Sequence, residues 1–146
     1  MAREIPKSTR KKALAEHLGV AATKIAEVKY PDNAFAVGDA EYLVLTDEEA
    51  DRLTREDVEE SLWAFNPKFI VAHSKLPEEA TSMVRDFCVA KCEGANDTVR
   101  ALIVDMDEFV ADAIAEDGRG HFLNRYDGSE DEVRVGKRKF FVYRVN

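Results

Sequence analysis

The apolar positions change period several times along the chain, and each change predicts an element. Ala13, Leu14, His17 and Leu18 share one helical face; Ser8 or Thr9 can cap that helix and Gly19 can stop it, which predicts a helix over residues 8–19. Tyr30-Pro31-Asp32-Asn33 is turn chemistry. The apolar runs Ala34-Phe35-Ala36-Val37 and Ala40-Glu41-Tyr42-Leu43-Val44-Leu45 flank Gly38-Asp39, a two-residue hairpin signal, and the second run is apolar on both faces, as an interior strand is. Thr46-Asp47-Glu48-Glu49 forms a capping box. It opens a helix with Ala50, Leu53, Thr54, Val58, Leu62 and Phe65 at three-and-four spacing, which Ser61 to Asn66 close and Pro67 prevents from continuing.

Lys68-Phe69-Ile70-Val71-Ala72-His73 suits a helical turn or two, with His73 at the core boundary rather than a ligand. A helix then starts at Pro77 with Glu78 and Glu79 in its first turn, and Ala80, Met83, Val84, Phe87, Cys88 and Lys91 follow one face toward Gly94. Asn96-Asp97 reads as a turn, and periodicity leaves residues 98–104 open between strand and short helix. Asp105-Met106-Asp107-Glu108 is a second capping box, opening a helix with the face Met106, Phe109, Val110, Ala113 and Ile114 and with Gly118 as its left-handed stop. Residues 121–126, 132–135 and 139–145 read as strands, turned at Asp127-Gly128 and Gly136-Lys137. The expected fold is α+β in one domain over residues 1–146: an N-terminal helix and hairpin, three to four central helices, and a C-terminal three-stranded antiparallel meander.

A hydrophobic content of 45% and a charged content of 34% describe a globular chain with a core of its own. No apolar run approaches membrane-spanning length, and Met1-Ala2-Arg3-Glu4-Ile5-Pro6-Lys7 lacks a leader's apolar stretch, so the cytoplasm is the expected compartment. Charge changes the picture more. The net of −8 divides into +4 over residues 1–29, −17 over residues 30–132 and +5 over residues 133–146. A middle that acidic repels nucleic acid, steers toward basic protein surfaces and can imitate a row of phosphates; an ordinary solvated face is the plainer explanation. Leu14 to Val20 has the flavour of a first helix of a helix-turn-helix, but Ala21 to Val28 carries only Lys24 as a base, so nucleic acid is not the expected partner. The basic ends, Arg10-Lys11-Lys12 and Lys137-Arg138-Lys139, would form one patch only if the termini meet.

Candidate chemistry is concentrated between Asp117 and Gly128, where Gly118, Gly120 and Gly128 bracket Arg119, His121, Tyr126 and Asp127. One reading gives each glycine a backbone role and leaves the polar groups incidental. The other has the loop's free amides and Arg119 bind an anion, with His121 as general base and Asp127 as its orienter, although a straight strand would hold those two about 20 Å apart. No catalytic residue is assigned, because no nucleophile elbow, phosphate-binding loop or zinc motif is present, and no cofactor is expected. A calcium loop from Asp127, Ser129 and Asp131 fails at Glu132 and Arg138. Cys88 and Cys92 share a helical face and could supply two metal ligands, but His17, His73 and His121 lack a ligand rhythm, so packing thiols and no metal are expected. Trp63 lies off the main apolar stripe, where it widens the core contact or, if partly exposed, could anchor a partner.

The phrases Glu41-Tyr42-Leu43-Val44-Leu45-Thr46-Asp47-Glu48-Glu49-Ala50-Asp51, Ser61-Leu62-Trp63-Ala64-Phe65-Asn66, Asp117-Gly118-Arg119-Gly120-His121-Phe122-Leu123 and Tyr126-Asp127-Gly128, with the terminal Tyr143-Arg144, resemble a family of small acidic proteins encoded by tailed bacteriophages. The resemblance covers most of residues 13–146 and implies a setting in the host cytoplasm; it brings no activity and no residue roles. Together with the acidic middle it leads to the expectation of a non-enzymatic accessory protein that binds a basic host or phage protein, opposing a defence or nucleic-acid-binding system. A small enzyme or an anion- or nucleotide-binding domain centred on Arg119, His121 and Asp127 is the alternative.

Overall fold

The computed structural model describes residues 4–146; Met1, Ala2 and Arg3, which begin the stretch read as lacking a leader, lie outside the described residues. The chain comprises two compact units, a sheet unit (Met1–Thr54 with Arg119–Asn146) and a helical unit (Arg55–Gly118).

The sheet unit begins with helix α1 (Lys7–Leu18), stopped by Gly19 in the left-handed conformation. Pro6 rather than Ser8 or Thr9 stands at its N-cap, without a side-chain hydrogen bond. Strands β1 (Ala26–Glu27), β2 (Ala34–Val37) and β3 (Ala40–Leu45) follow, and the pairing of Val37 with Ala40 sets the Gly38-Asp39 hairpin as read. The last strands are β4 (Asp131–Val135) and β5 (Arg138–Arg144), turned at Gly136-Lys137. The sheet is antiparallel, in the order β1-β2-β3-β5-β4. The hairpin and the C-terminal strands therefore form one sheet, because β3 pairs with β5 from Tyr42 opposite Arg144 to Leu45 opposite Phe141.

Both faces of this sheet are covered, which is why β3 and β5 are apolar without alternation. Phe35, Val44, Phe140 and Val142 pack on one side with Ala13, Leu14 and Ala15 of α1. Leu43, Leu45, Phe141 and Tyr143 pack on the other with Ala50 and Leu123.

Helix α2 (Asp47–Glu60) carries the predicted capping box: Glu49 N donates to Thr46 Oγ1, and Thr46 N donates to Glu49 Oε1. It ends at Glu60, earlier than expected, and Leu62 to Ala64 form a separate 3₁₀ turn, so Leu62 and Phe65 lie beyond its stripe. The helical unit continues with α3 (Pro67–Ala72), α4 (Thr81–Lys91), α5 (Asn96–Leu102) and α6 (Met106–Asp117). Residues 98–104 are thus mostly helical, and Asn96 is no simple turn residue: its side chain accepts from Trp63 N and donates to Glu59 O. The Asp105 cap of α6 accepts from Glu108 N as expected. Phe65, Phe69, His73 and Phe109 form one aromatic cluster, with Phe109 fully buried and its ring 5.0 Å from that of Phe65 and 4.8 Å from that of Phe69. His73 also meets Asp112 at 3.1 Å, in keeping with a boundary residue. No helix among the described residues is long and apolar enough to cross a membrane.

One predicted element is corrected. Residues 121–126 are not a strand: Arg119–Leu123 form a short helix, α7, followed by a turn, so the meander has two strands of its own. Gly118 has positive φ but an extended ψ of 155°, so it redirects the chain rather than closing α6 with a left-handed turn.

Candidate functional site

The chain around Asp117–Gly128 is built by two residues with no catalytic chemistry. Gly120 lies in α7 where a Cβ would sit 2.8 Å from the Ser129 carbonyl carbon and closer still to Gly128 O, so only glycine lets the helix lie against that loop. Asn124 is buried, and its Oδ1 accepts from the backbone amides of Tyr126, Asp127 and Gly128 at 2.9, 2.9 and 3.3 Å. Its Nδ2 donates to Ser129 O at 2.9 Å. The amides read as a possible anion cradle do converge, but on a carboxamide oxygen of the protein itself.

Arg119 is likewise engaged. Its Nε donates to Glu130 Oε1 at 2.7 Å, and Nη1 reaches Asp47 at 2.8 Å and Asp51 at 3.0 Å. The guanidinium carbon lies 4.6 Å from the Phe141 ring centroid, and the side chain is 10% exposed. Burial by itself would lower the Arg119 pKa, but the Glu130 and Asp47 hydrogen bonds outweigh it and raise the value. Glu130 Oε1 also accepts from the Tyr143 hydroxyl. Burial first, and then this bond, push the Tyr143 phenol well above its usual range.

The other candidates separate. His121 is exposed, and its ring lies edge-on to that of Phe122 with centroids 4.9 Å apart. Asp127 Oδ1 accepts from Ser129 N at 3.0 Å and from Ser129 Oγ at 2.8 Å, which lowers its pKa and commits it to the turn. With α7 in place of a strand the 20 Å separation no longer applies, yet among the described residues no hydrogen bond joins His121 to Asp127. Tyr126 is 59% exposed beneath the Arg144 guanidinium, whose carbon lies 3.6 Å from the ring centroid. Trp63 is half-buried and lies in the helical unit, whereas the other four candidates lie in the sheet unit. Cys88 is buried in α4, whereas Cys92 is exposed past its end at positive φ, so the two thiols share no helical face. No group of three or more His, Cys, Asp or Glu among the described residues is placed to hold a metal.

Arg10 has a role that no local pattern of residues signals. It is buried at 3% exposure, bidentate to Glu49 at 2.7 and 2.9 Å, and donates to Val44 O at 2.8 Å. Burial would raise the Glu49 carboxyl, but the Arg10 and Thr46 hydrogen bonds hold it below its ordinary value. The basic ends do meet: Arg10, Arg138 and Lys139 line one cleft with Arg52, and Glu4, Asp47, Glu48 and Glu49 line it too. Lys139 pairs with Glu132, and Lys11 with Glu27, so the patch is compensated in part.

Charge divides sharply between the units. The sheet unit has fifteen Lys/Arg and fourteen Asp/Glu, a net of +1, whereas the helical unit has six and fifteen, a net of −9. Thirteen of those fifteen acids are exposed, including Glu78, Glu79, Asp86 and Glu93. Windows of sequence spread the acidity over a hundred residues; the fold assigns it to the helical unit, because the acids of α2's first turns, Asp47, Glu49 and Asp51, are matched by Arg119 and Arg10. Compared with known proteins, the chain matches no family model, no curated protein and no solved structure.

Proposed function

We propose that this chain is a binding protein rather than an enzyme, and that its helical unit engages a protein with a basic surface. The observation that carries the reading is the −9 net charge of residues 55–118 with thirteen exposed carboxylates, beside a sheet unit near neutrality. Such a surface attracts cationic proteins and repels nucleic acid, and a protein face built to receive phosphates is its natural complement. The likeness to phage proteins makes a host or phage nucleic-acid-handling protein, in the host cytoplasm, the expected partner class. The alternative reading, an anion site at Arg119, His121 and Asp127, has no comparable support, since Arg119 and the loop amides already have protein partners.

Affinity capture with the tagged chain from bacterial lysate tests the proposal. A specific basic partner retained at roughly 50 mM salt should be released at roughly 500 mM, where the screening length falls to about 4 Å. Recovery of no salt-sensitive basic protein would contradict it.

A further inference from the structure

Within the helical unit a cleft of about 470 Å³ is lined by Phe65, Asn66, Lys68, Phe69, Ala113, Glu116 and Asp117. Two of the lining residues are aromatic: the Phe65 and Phe69 rings stack with centroids 5.7 Å apart, and both meet the buried Phe109. Its rim carries Glu116 and Asp117, both exposed, in the final turn of α6. Carboxylates there face the negative end of the helix, and that last turn has no basic residue to offset them. Among the described residues neither has an ion-pair partner, although Arg119 shows that this chain neutralises acids elsewhere. Two unpaired carboxylates, a helix C-terminus and an aromatic lining all favour the same occupant, a cation with an apolar stem. Among the described lining residues Lys68 is the one opposing charge, and it is exposed.

We propose that this cleft receives an arginine side chain of the basic partner, its guanidinium against the Phe65 and Phe69 rings and its N–H groups donating to Glu116 and Asp117. Arginine fits better than lysine because its planar head stacks on rings while its fork reaches carboxylates. The inference rests on the reading of the helical unit as the binding surface and specifies where on it the partner is anchored.

Titration of the full ¹⁵N-labelled chain with a blocked eight-residue peptide of alternating glycine and arginine, followed by amide shifts, tests it. The largest shifts are expected at residues 65–69 and 113–117. Glu116→Gln with Asp117→Asn should weaken the peptide about tenfold, whereas Asp86→Asn with Glu93→Gln, equal in charge removed, should weaken it by about twofold or less. Lys68→Ala should tighten binding, because it removes a like charge; an anion-binding cleft would respond in the opposite direction. All these side chains are exposed, so the variants keep the fold, which the amide spectrum itself reports. Equal weakening by the two double variants, or weaker binding by Lys68→Ala, overturns the cleft assignment while leaving the acidic unit as a binding surface. A chain that shows no shift with the peptide and captures no basic protein overturns both.

Discussion

Replacing Arg119 by methionine separates scaffold from site at the corner between α6 and α7. Methionine keeps much of the stem's volume over Phe141 and removes the charge. The Asp47 and Asp51 carboxylates are 69% and 62% exposed, so each ion pair contributes at most about 1 kcal/mol. Glu130 is 31% exposed, and its charge-assisted bond contributes roughly 1.5–3 kcal/mol. The stacking of the guanidinium on Phe141 at 4.6 Å adds about 0.5–2 kcal/mol. Loss of all these, offset by the new apolar packing, gives an expected destabilisation of roughly 2–4 kcal/mol. Urea unfolding should show a lower midpoint with the slope unchanged. Partner affinity, measured well below the midpoint, should stay within about twofold, because Arg119 lies in the sheet unit. A stability loss below about 0.5 kcal/mol combined with lost binding would refute the reasoning and make the corner a site.

Three further outcomes follow from the same geometry. Gly120→Ala forces a methyl against the Gly128–Ser129 backbone and should destabilise by about 1–3 kcal/mol in urea unfolding, more than a surface glycine such as Gly94. Asn124→Ala strips three amides of their acceptor and should cost about 1–3 kcal/mol, with faster amide exchange at residues 126–128. Glu49 has a folded-state pKa below the ordinary 4.5, so the carboxylate's contribution is fully present above that value and is lost as pH falls through the folded pKa. The stability gap between wild type and Glu49→Gln, followed by urea unfolding at a series of pH values, should therefore be constant near neutrality and shrink below pH 4.5.

Much of the fold was legible because its signals are local. Gly38-Asp39 between two apolar runs fixed a hairpin, Thr46 and Glu49 fixed a helix start, and continuous apolar strands announced a sheet covered on both faces. Residues 119–123 misled because a five-residue helix is too short to show a helical period, and the alternation that follows Gly120 resembles a strand. What decides the conformation there is a backbone approach at Gly120 and a side-chain hub at Asn124, and neither leaves a periodic trace. Arg10 was hidden for a similar reason: it follows the helix start as a solvated base would, and only Glu49, 39 residues away, accounts for its burial. The acidic surface was visible as a total but not as a location, since pairing with Arg119 and Arg10 removes part of it only once the chain is folded.

The most direct test of the account compares partner affinity across two neutralised variants. One, Glu78→Gln, Glu79→Gln, Glu116→Gln and Asp117→Asn, removes four exposed charges from the helical unit; the other, Glu16→Gln, Asp32→Asn, Asp39→Asn and Glu48→Gln, removes four from the sheet unit. Titration of each against the captured basic partner at low salt should show a loss of about tenfold or more for the first and little change for the second. Equal affinities, or a larger loss from the sheet-unit variant, would contradict the claim that the helical unit is the binding surface.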